Sequence, residues 1–212
     1  AALPTIAYLL EHGASLVLMS HLGRPKGKVS DALRLRPVAQ HLSELLKRPV
    51  PVTGDALGLG TEDAVNRLRP GELLLLENLR FHAAEEENDP AFAASLAAYA
   101  DLYVNDAFGT AHRAHASTVG VPKLIPGYAG LLMERELEML SVLVKSPARP
   151  FAAILGGAKV SDKIKVIDNL LTKVDLLILG GGMANTFLLA QGKAVGKSLA
   201  EPDRVDDARR IL

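Results

Sequence analysis

The sequence predicts an α/β protein built on parallel β-sheet, and three observations support this prediction. Short apolar runs without alternation, such as residues 15–19, are typical of strands that are covered on both faces. Segments with a helical spacing of apolar side chains alternate with these runs. Loops that carry glycine, arginine or histidine follow several of the runs directly. Because alternating strands and helices form parallel sheets with right-handed crossovers, the carboxyl ends of the strands are expected at one sheet edge.

The first block of the chain alternates in this way from its beginning. The spacing of apolar residues predicts a helix over residues 3–11, which ends at His12 and Gly13 with the glycine in the capping role. The acidic run at residues 85–87 is interpreted as a solvated loop. The other predicted elements are strands at 15–19, 49–52, 73–76 and 102–104, and helices at 35–46, 61–68 and 91–100.

A strongly amphipathic helix over residues 131–144 is predicted to link two domains. Pro147 and Pro150 follow it closely and indicate a boundary, after which strands are predicted at 151–155 and 176–179. The predicted organisation is residues 1–129 as a first domain, 130–149 as an interdomain helix and linker, and 150–212 as a partial second domain. The chain begins without methionine and stops within a helical pattern, so we expect a fragment of a longer protein.

The composition excludes several classes of function. Lys and Arg together number 24, as do Asp and Glu, so the overall charge gives no footprint for nucleic acid or an anionic membrane. The absence of cysteine excludes disulfides and thiolate zinc sites. No apolar run is long enough to span a membrane, and no signal peptide is visible. We therefore expect a cytoplasmic protein whose partners are neither nucleic acid nor membrane.

Residues 105–117 form the strongest candidate for a functional segment. They follow a predicted buried strand and carry two histidines and an arginine within four residues. The structural alternative is a polar loop in which Asp106 pairs with Arg113. Arginine forks suit a carboxylate or a phosphate, whereas the spacing of the histidines does not suit zinc. The side chains expected to meet at one sheet edge are His21, Arg24, Arg80, His112 and Arg113, with His115 as a further candidate.

A second candidate site follows the predicted strands of the second block. A glycine pair after the first of them leads into a helix, and Lys159 and Lys163 could face one phosphate from its first turn. Residues 180–182, all glycine, would let a flat ligand lie against backbone, although a tight turn is the alternative. The P-loop and dinucleotide motifs are both incomplete here, because Gln191 and Asn185 stand where each requires glycine.

Five motifs resemble the phosphoglycerate kinase family, bacterial type. They are SHLGRPKG at 20–27, LLLENLRFH at 74–82, NDAFGTAHRAHAS at 105–117, ILGGAKVSDK at 154–163 and ILGGGMA at 178–184, in order along essentially the whole chain. The resemblance implies two doubly wound, Rossmann-like parallel-sheet domains joined by the interdomain helix, the second incomplete. It also implies reversible phosphoryl transfer between 1,3-bisphosphoglycerate and ADP, giving 3-phosphoglycerate and ATP, in line after hinge closure, by a monomer.

The resemblance also assigns roles to residues. Lys159 and Arg113 would be catalytic, with Lys159 near the phosphoryl group in flight. Mg-ATP or Mg-ADP would be bound, but the magnesium ligand belongs to a later part of the family sequence, and the family's Asp-x-Asn substrate contact belongs before Ala1. The substrate-binding residues would be His21, Leu22, Gly23, Arg24, Arg80, His112 and Arg113, and the nucleotide-binding residues Lys159, Lys163, Gly157, Ala158, Gly180 and Gly181.

Two other interpretations stay open at this point. The chain could bind phosphoglycerate without catalysing transfer, or it could be an unrelated doubly wound protein that binds sugar phosphates. The pair Lys159 and Lys163 argues against both, because a protein that only binds substrate does not need a second phosphate site.

Overall fold

Every strand pairs in parallel with one other strand, which gives three two-stranded sheets and confirms the predicted α/β class. In the computed structural model, which describes residues 1–212, β1 pairs with β2, β3 with β4 and β5 with β6. The register places Leu16 opposite Leu73 in the first pair. The strands are β1 (Leu16–Leu18), β2 (Leu73–Leu75), β3 (Tyr103–Asn105), β4 (Gly127–Ala129), β5 (Ala152–Gly156) and β6 (Leu176–Gly180).

Helices occupy most of the connections between the strands. Asp89 accepts a hydrogen bond from the Phe92 amide at 2.8 Å and so caps one of them, with Pro90 at its first position. The α-helices are α1 (Leu3–Glu11), α2 (Arg36–Leu46), α3 (Leu59–Asn66), α4 (Ala83–Glu86), α5 (Pro90–Ala97), α6 (Leu131–Lys145), α7 (Ile164–Leu171), α8 (Gly182–Ala190) and α9 (Val205–Ile211). Of these, α1, α2, α3, α5, α6 and α7 lie close to where helices were predicted, whereas α4 and α8 were not predicted.

The chain divides into two compact units, Ala1–Glu138 and Met139–Leu212, and the division falls within α6. The three-part organisation expected from the sequence stays a prediction. No helix of the chain is both long enough and apolar enough to cross a membrane.

Strand β2 is the centre of the first unit. Its all-leucine sequence is buried, and alternate residues face two apolar clusters: Leu73 and Leu75 pack with Leu10 and Leu35, whereas Leu74 joins the cluster that includes α5. The predicted strand at 49–52 contributes only a single bridge, between Val52 and Leu75. Prolines in that segment lack the N–H groups that a longer ladder requires.

A cavity of about 470 Å³ lies between β1 and β3. Each of these strands has a single strand partner in its sheet, and residues of both line the cavity. Asp106, Thr110 and Ser117 also contribute to the lining, so the cavity reaches the segment 105–117 that the sequence singles out.

The second unit covers its two strands on one face only. Leu155, Leu177 and Leu179 pack against an apolar cluster that contains residues of α7, α8 and α9. On the opposite face, Ile154 is 75% exposed and Ile178 is 45% exposed. We expected the apolar run at 151–155 to form a buried strand, and this is wrong, because all the helices of this cluster lie on the same side.

Candidate functional site

The loop over residues 20–27 leaves the end of β1 and folds back against the segment that follows β2. Gly23 and Gly27 have φ of +66° and +72°, in the left-handed region that glycine adopts without strain. A Cβ at Gly27 would lie 2.9 Å from the Cβ of Ala83, so the loop packs closely on the start of α4. The Gly27 amide donates to the Arg80 carbonyl at 3.2 Å. The first two strand ends are therefore joined at this point.

Arg80 is a buried arginine with hydrogen-bonding capacity to spare. Its Nη1 donates to the Gly23 carbonyl at 3.2 Å, and its Nε lies 3.5 Å from Oε1 of Glu86. The Nε and Nη2 atoms have no hydrogen-bond partner although they are buried. A buried charged donor without a partner is costly. An anion that reached these two nitrogens would remove that penalty.

The third strand end carries Asp106, Arg113 and His115. The alternative in which Asp106 pairs with Arg113 is not observed, because Oδ1 of Asp106 accepts from the amides of Leu132 and Met133 at 2.9 and 3.2 Å. Arg113 forms no ion pair with any carboxylate. Its positive charge is therefore available to a ligand.

His21 shows that these strand ends converge. Burial lowers the pKa of the His21 imidazole below its ordinary value of 6.5, and the positive charges of Arg80, Arg113 and His115 lower it further, against the opposing charge of Glu86. Groups from three separate strand ends thus act on one another electrostatically. Arg80 and Arg113 bring two permanent positive charges to this cluster, and Glu86 opposes them at His21. Such a cluster favours an anion.

The interpretation of residues 85–87 as a solvated loop is wrong for Glu85, although Glu86 and Glu87 are exposed. Glu85 is buried on α4, where its Oε2 accepts from the Ser117 amide at 3.0 Å and its Oε1 accepts from the Ser117 hydroxyl at 2.5 Å. The same Oε1 lies 3.8 Å from Nδ1 of His115. Glu85 therefore joins α4 to the segment that carries Arg113. Its position shortly after the Arg80 motif was the only signal in the sequence.

The other predicted substrate residues are exposed and lie in the same two segments. Arg24 and His112 are exposed, in the same segments as His21 and Arg113 respectively. Leu22 and Gly23 are also exposed, but their carbonyls accept hydrogen bonds within the protein, from Asn78 and Arg80.

In the second unit, the predicted nucleotide residues lie side by side at the carboxyl ends of β5 and β6. Gly156 is opposite Gly180 in the register. Gly181 has φ of +67°, and a Cβ there would lie 2.8 Å from the Gly157 carbonyl oxygen. A Cβ at Gly182 would lie 2.9 Å from the carbonyl oxygen of Ala158. The two glycine segments therefore approach each other as only glycine allows.

Lys159 and Lys163 do not share the first turn of a helix, so that part of the prediction is wrong. Helix α7 begins at Ile164, with Lys163 as its N-cap residue, because residues 161–163 form a turn. Both Lys159 and Lys163 are exposed, and neither forms an ion pair. Both lysines therefore lie in the loop before α7, and their charges are available to a ligand there.

Glu201 occupies backbone donors in the loop that carries Lys159 and Lys163. Its Oε2 accepts from the amides of Val160 and Ser161 at 2.5 and 3.0 Å, and its Oε1 accepts from the Ser161 hydroxyl at 2.6 Å. Desolvation opposes ionisation of Glu201, but these hydrogen bonds and the charge of Lys159 hold the pKa of its carboxyl below the ordinary value. A phosphate in this loop must therefore rely on the lysines and on other amides.

Comparison with known proteins gives one consistent result. Residues 1–212 match the family described as phosphoglycerate kinase. Phosphoglycerate kinase of Moorella thermoacetica is 63% identical over 212 residues, and that of Pelotomaculum thermopropionicum is 59% identical over 211 residues. In both alignments the match covers 100% of this chain and 54% of the relative. The chain thus spans about half the length of the curated relatives it matches.

Solved structures agree with this result. The phosphoglycerate kinase of Coxiella burnetii superposes with a TM-score of 0.86 at 44% identity, over 99% of this chain and 53% of that one. The phosphoglycerate kinase of Pyrococcus horikoshii superposes with a TM-score of 0.84 at 38% identity, over 100% of this chain and 56% of that one.

Proposed function

Because the chain belongs to the phosphoglycerate kinase family, we propose that it serves reversible phosphoryl transfer between 1,3-bisphosphoglycerate and ADP, which gives 3-phosphoglycerate and ATP. Both relatives compared above bear the name of that enzyme. The proposal includes in-line transfer after hinge closure, a monomeric protein and a cytoplasmic location.

The observation that supports this function best is the cluster of His21, Arg80, Arg113 and His115 in the first unit. Phosphoglycerate carries a carboxylate and a phosphate, and both are anions that arginine binds with paired hydrogen bonds. The two unpartnered nitrogens of Arg80 supply such donors from a buried and therefore well-oriented guanidinium. We assign His21, Leu22, Gly23, Arg24, Arg80, His112 and Arg113 to this substrate site.

The second unit supplies a site for the nucleotide in the same proposal. Gly157, Ala158, Gly180 and Gly181 would lie against the adenosine, since backbone without side chains lets a flat ligand approach. Lys159 and Lys163 would contact the phosphates. Because phosphoryl transfer requires mainly positioning and charge, Lys159 and Arg113 would act by placing positive charge where negative charge develops.

Magnesium would arrive with the nucleotide and neutralise phosphate charge. The chain contains no group of three or more His, Asp or Glu residues arranged to hold a metal ion. The residues proposed to hold Mg-ADP or Mg-ATP are those that would contact the nucleotide phosphates, Lys159 and Lys163. We propose no magnesium ligand among these 212 residues.

A second candidate function is phosphoglycerate binding without transfer. The observation that favours it is length, because the chain spans 54% of the length of its relative from Moorella thermoacetica. A coupled assay with the purified chain separates the two. Turnover would contradict the binding-only alternative, whereas phosphoglycerate binding without turnover would support it for this chain.

Calorimetric titration tests the substrate site directly. We expect the chain to bind 3-phosphoglycerate and, separately, Mg-ADP. Arg113→Ala should weaken the first interaction by about tenfold or more, since one arginine–anion pair contributes on the order of 1.5–3 kcal/mol. It should leave the second interaction within about twofold. Arg67→Ala is the matched control, because Arg67 is an exposed arginine of the same unit. An unchanged phosphoglycerate affinity in Arg113→Ala, or no phosphoglycerate binding by a folded wild-type chain, would overturn the assignment.

A further inference from the structure

Asn78 is a fully buried polar residue that joins three segments of the candidate substrate site. Its Nδ2 donates to the carbonyl of Leu22 at 2.8 Å and to the carbonyl of Leu33 at 2.9 Å. Its Oδ1 accepts from the amide of Arg80 at 3.1 Å. The side chain therefore uses both of its donors and its acceptor, each on a different part of the backbone.

The neighbouring Glu77 fixes the backbone from which this side chain extends. Oε1 of Glu77 accepts from the amides of Asn78 and Leu35 at 2.8 and 2.9 Å, and Oε2 accepts from Nη1 of Arg34 at 3.2 Å. Glu77 is itself only 3% exposed. A buried carboxylate with several donors is a rigid support, because any displacement would leave charge without partners.

The hydrogen bonds of Asn78 act on atoms next to the proposed ligand contacts. Leu22 lies between His21 and Gly23, whose carbonyl accepts from Nη1 of Arg80. Asn78 also accepts from the backbone amide of Arg80. The guanidinium of the same residue has two nitrogens, Nε and Nη2, without a hydrogen-bond partner. A displacement of about 1 Å in such a group can reduce function on the order of 100-fold.

We propose that Asn78 is a positioning residue for phosphoglycerate, which holds the 20–27 loop and Arg80 in the geometry that binds the anion. The inference rests on the function proposed above. No other side chain of similar size makes these three hydrogen bonds. The carboxylate of aspartate would place an acceptor opposite the carbonyl oxygens of Leu22 and Leu33. Leucine would leave both carbonyls and the Arg80 amide without partners. Serine keeps one donor and one acceptor on a shorter side chain.

The test compares Asn78→Ser and Asn78→Leu with Asn66→Ser and Asn66→Leu. Asn66 is exposed at the end of α3. In variants that circular dichroism shows to be folded, we expect 3-phosphoglycerate affinity to fall about tenfold or more at position 78, more for leucine than for serine. Mg-ADP affinity should stay within about twofold, and the substitutions at Asn66 should change neither.

A double-mutant cycle distinguishes positioning from a merely structural role. If Asn78 acts through Arg80, the losses from Asn78→Ser and Arg80→Lys should be strongly non-additive in the free energy of phosphoglycerate binding. The cycle with Arg113→Lys serves as the reference, since Asn78 makes no hydrogen bond to Arg113. Glu77→Gln, which keeps a carbonyl acceptor for the two amides, should have a smaller effect than Asn78→Leu.

Three results would overturn the inference. They are wild-type phosphoglycerate affinity in folded Asn78→Ser, equal losses for both ligands, and unfolding of Asn78→Ser under conditions in which Asn66→Ser is folded. The last result would make Asn78 a residue of stability alone. A folded wild-type chain that binds no phosphoglycerate would instead contradict the proposed function itself, so the two failures are distinct.

Discussion

Asp106 accepts a hydrogen bond from the amide of Leu132 at 2.9 Å, so the end of β3 caps the first turn of α6. The same Oδ1 atom accepts from the Met133 amide, and the hydroxyl of Thr5 accepts from the Leu131 amide at 3.0 Å. A Cβ at Gly130 would collide with the Asp106 side chain, so glycine is required there. The segment that carries Arg113 is in this way fixed to the helix that the sequence predicted as a link between domains.

Removal of this cap should destabilise the chain. We expect Asp106→Ala to lower the free energy of unfolding by about 1–2 kcal/mol, since two amides of the first turn lose their acceptor. Urea denaturation measures the change, and Asp101→Ala, at an exposed position shortly before β3, is the control. Equal stability of the two variants would show that the cap contributes nothing.

Arg80 should not tolerate lysine. Lysine keeps the charge but lacks the fork that reaches the Gly23 carbonyl and an anion together. We expect Arg80→Lys to weaken 3-phosphoglycerate binding by about tenfold or more in calorimetry, because charge-assisted hydrogen bonds contribute on the order of 1.5–3 kcal/mol. Arg67→Lys, on the surface of the same unit, should have no effect. Unchanged affinity in Arg80→Lys would remove Arg80 from the ligand contacts.

The stability of the chain should fall as acid protonates His21. Its pKa is lowered in the folded state by burial and by nearby positive charge, so below pH 6.5 the unfolded state binds more protons at this site than the folded state. The contribution is therefore fully present above the unfolded pKa and is lost as the pH falls through the lower, folded pKa. Denaturation measured from about pH 8 downward should show a slope that begins near the unfolded pKa of 6.5 and that His21→Gln reduces.

The exposed His41 provides the control for this pH experiment. His41→Gln should leave the part of the slope that comes from His21. An NMR titration of the His21 ring gives the folded pKa independently. A value at or above 6.5 would contradict the convergence of positive charge on which the substrate site depends.

Gly181 and Gly192 form a matched pair for the nucleotide site. Both have positive φ, +67° and +75°, but a Cβ would meet the Gly157 carbonyl only at Gly181 and would meet nothing within 4 Å at Gly192. Alanine should therefore strain the backbone similarly at both positions, by about 1–2 kcal/mol. Only Gly181→Ala should also push apart the glycine segments, and we expect it alone to weaken Mg-ADP binding in calorimetry. Equal effects of the two substitutions would mean that this close approach does not matter for the nucleotide.

Local pattern was sufficient for most of the secondary structure. The all-leucine run at 73–76 identified β2, and the helix at Leu131–Lys145 was predicted to within one residue. Strand β4 was not predicted, since Pro126 and Gly127 are typical of turns and only pairing with β3 makes the segment extended. An apolar run also does not tell how many faces are covered, which is why the exposure of Ile154 was unexpected.

The sequence predicted only those residues of the candidate site that follow the ends of parallel strands. The rule that parallel strands end at one sheet edge predicted the meeting of His21, Arg80 and Arg113, whose charges do act on one another in the structure. Their roles stay predictions. The rule gave no indication of Asn78, because its carbonyl partners are 56 and 45 residues away and a polar residue after a strand looks like any loop residue.

The cavity between β1 and β3 has a consequence for how the isolated chain behaves at high concentration. Each bordering strand has only three residues and one strand partner, so its unpaired backbone extends for about 10 Å. Edges of this kind can recruit an extended segment of a neighbouring molecule and begin aggregation, but short edges offer few hydrogen bonds to it. Light scattering during concentration should accordingly show weak, reversible association before any fibrous growth.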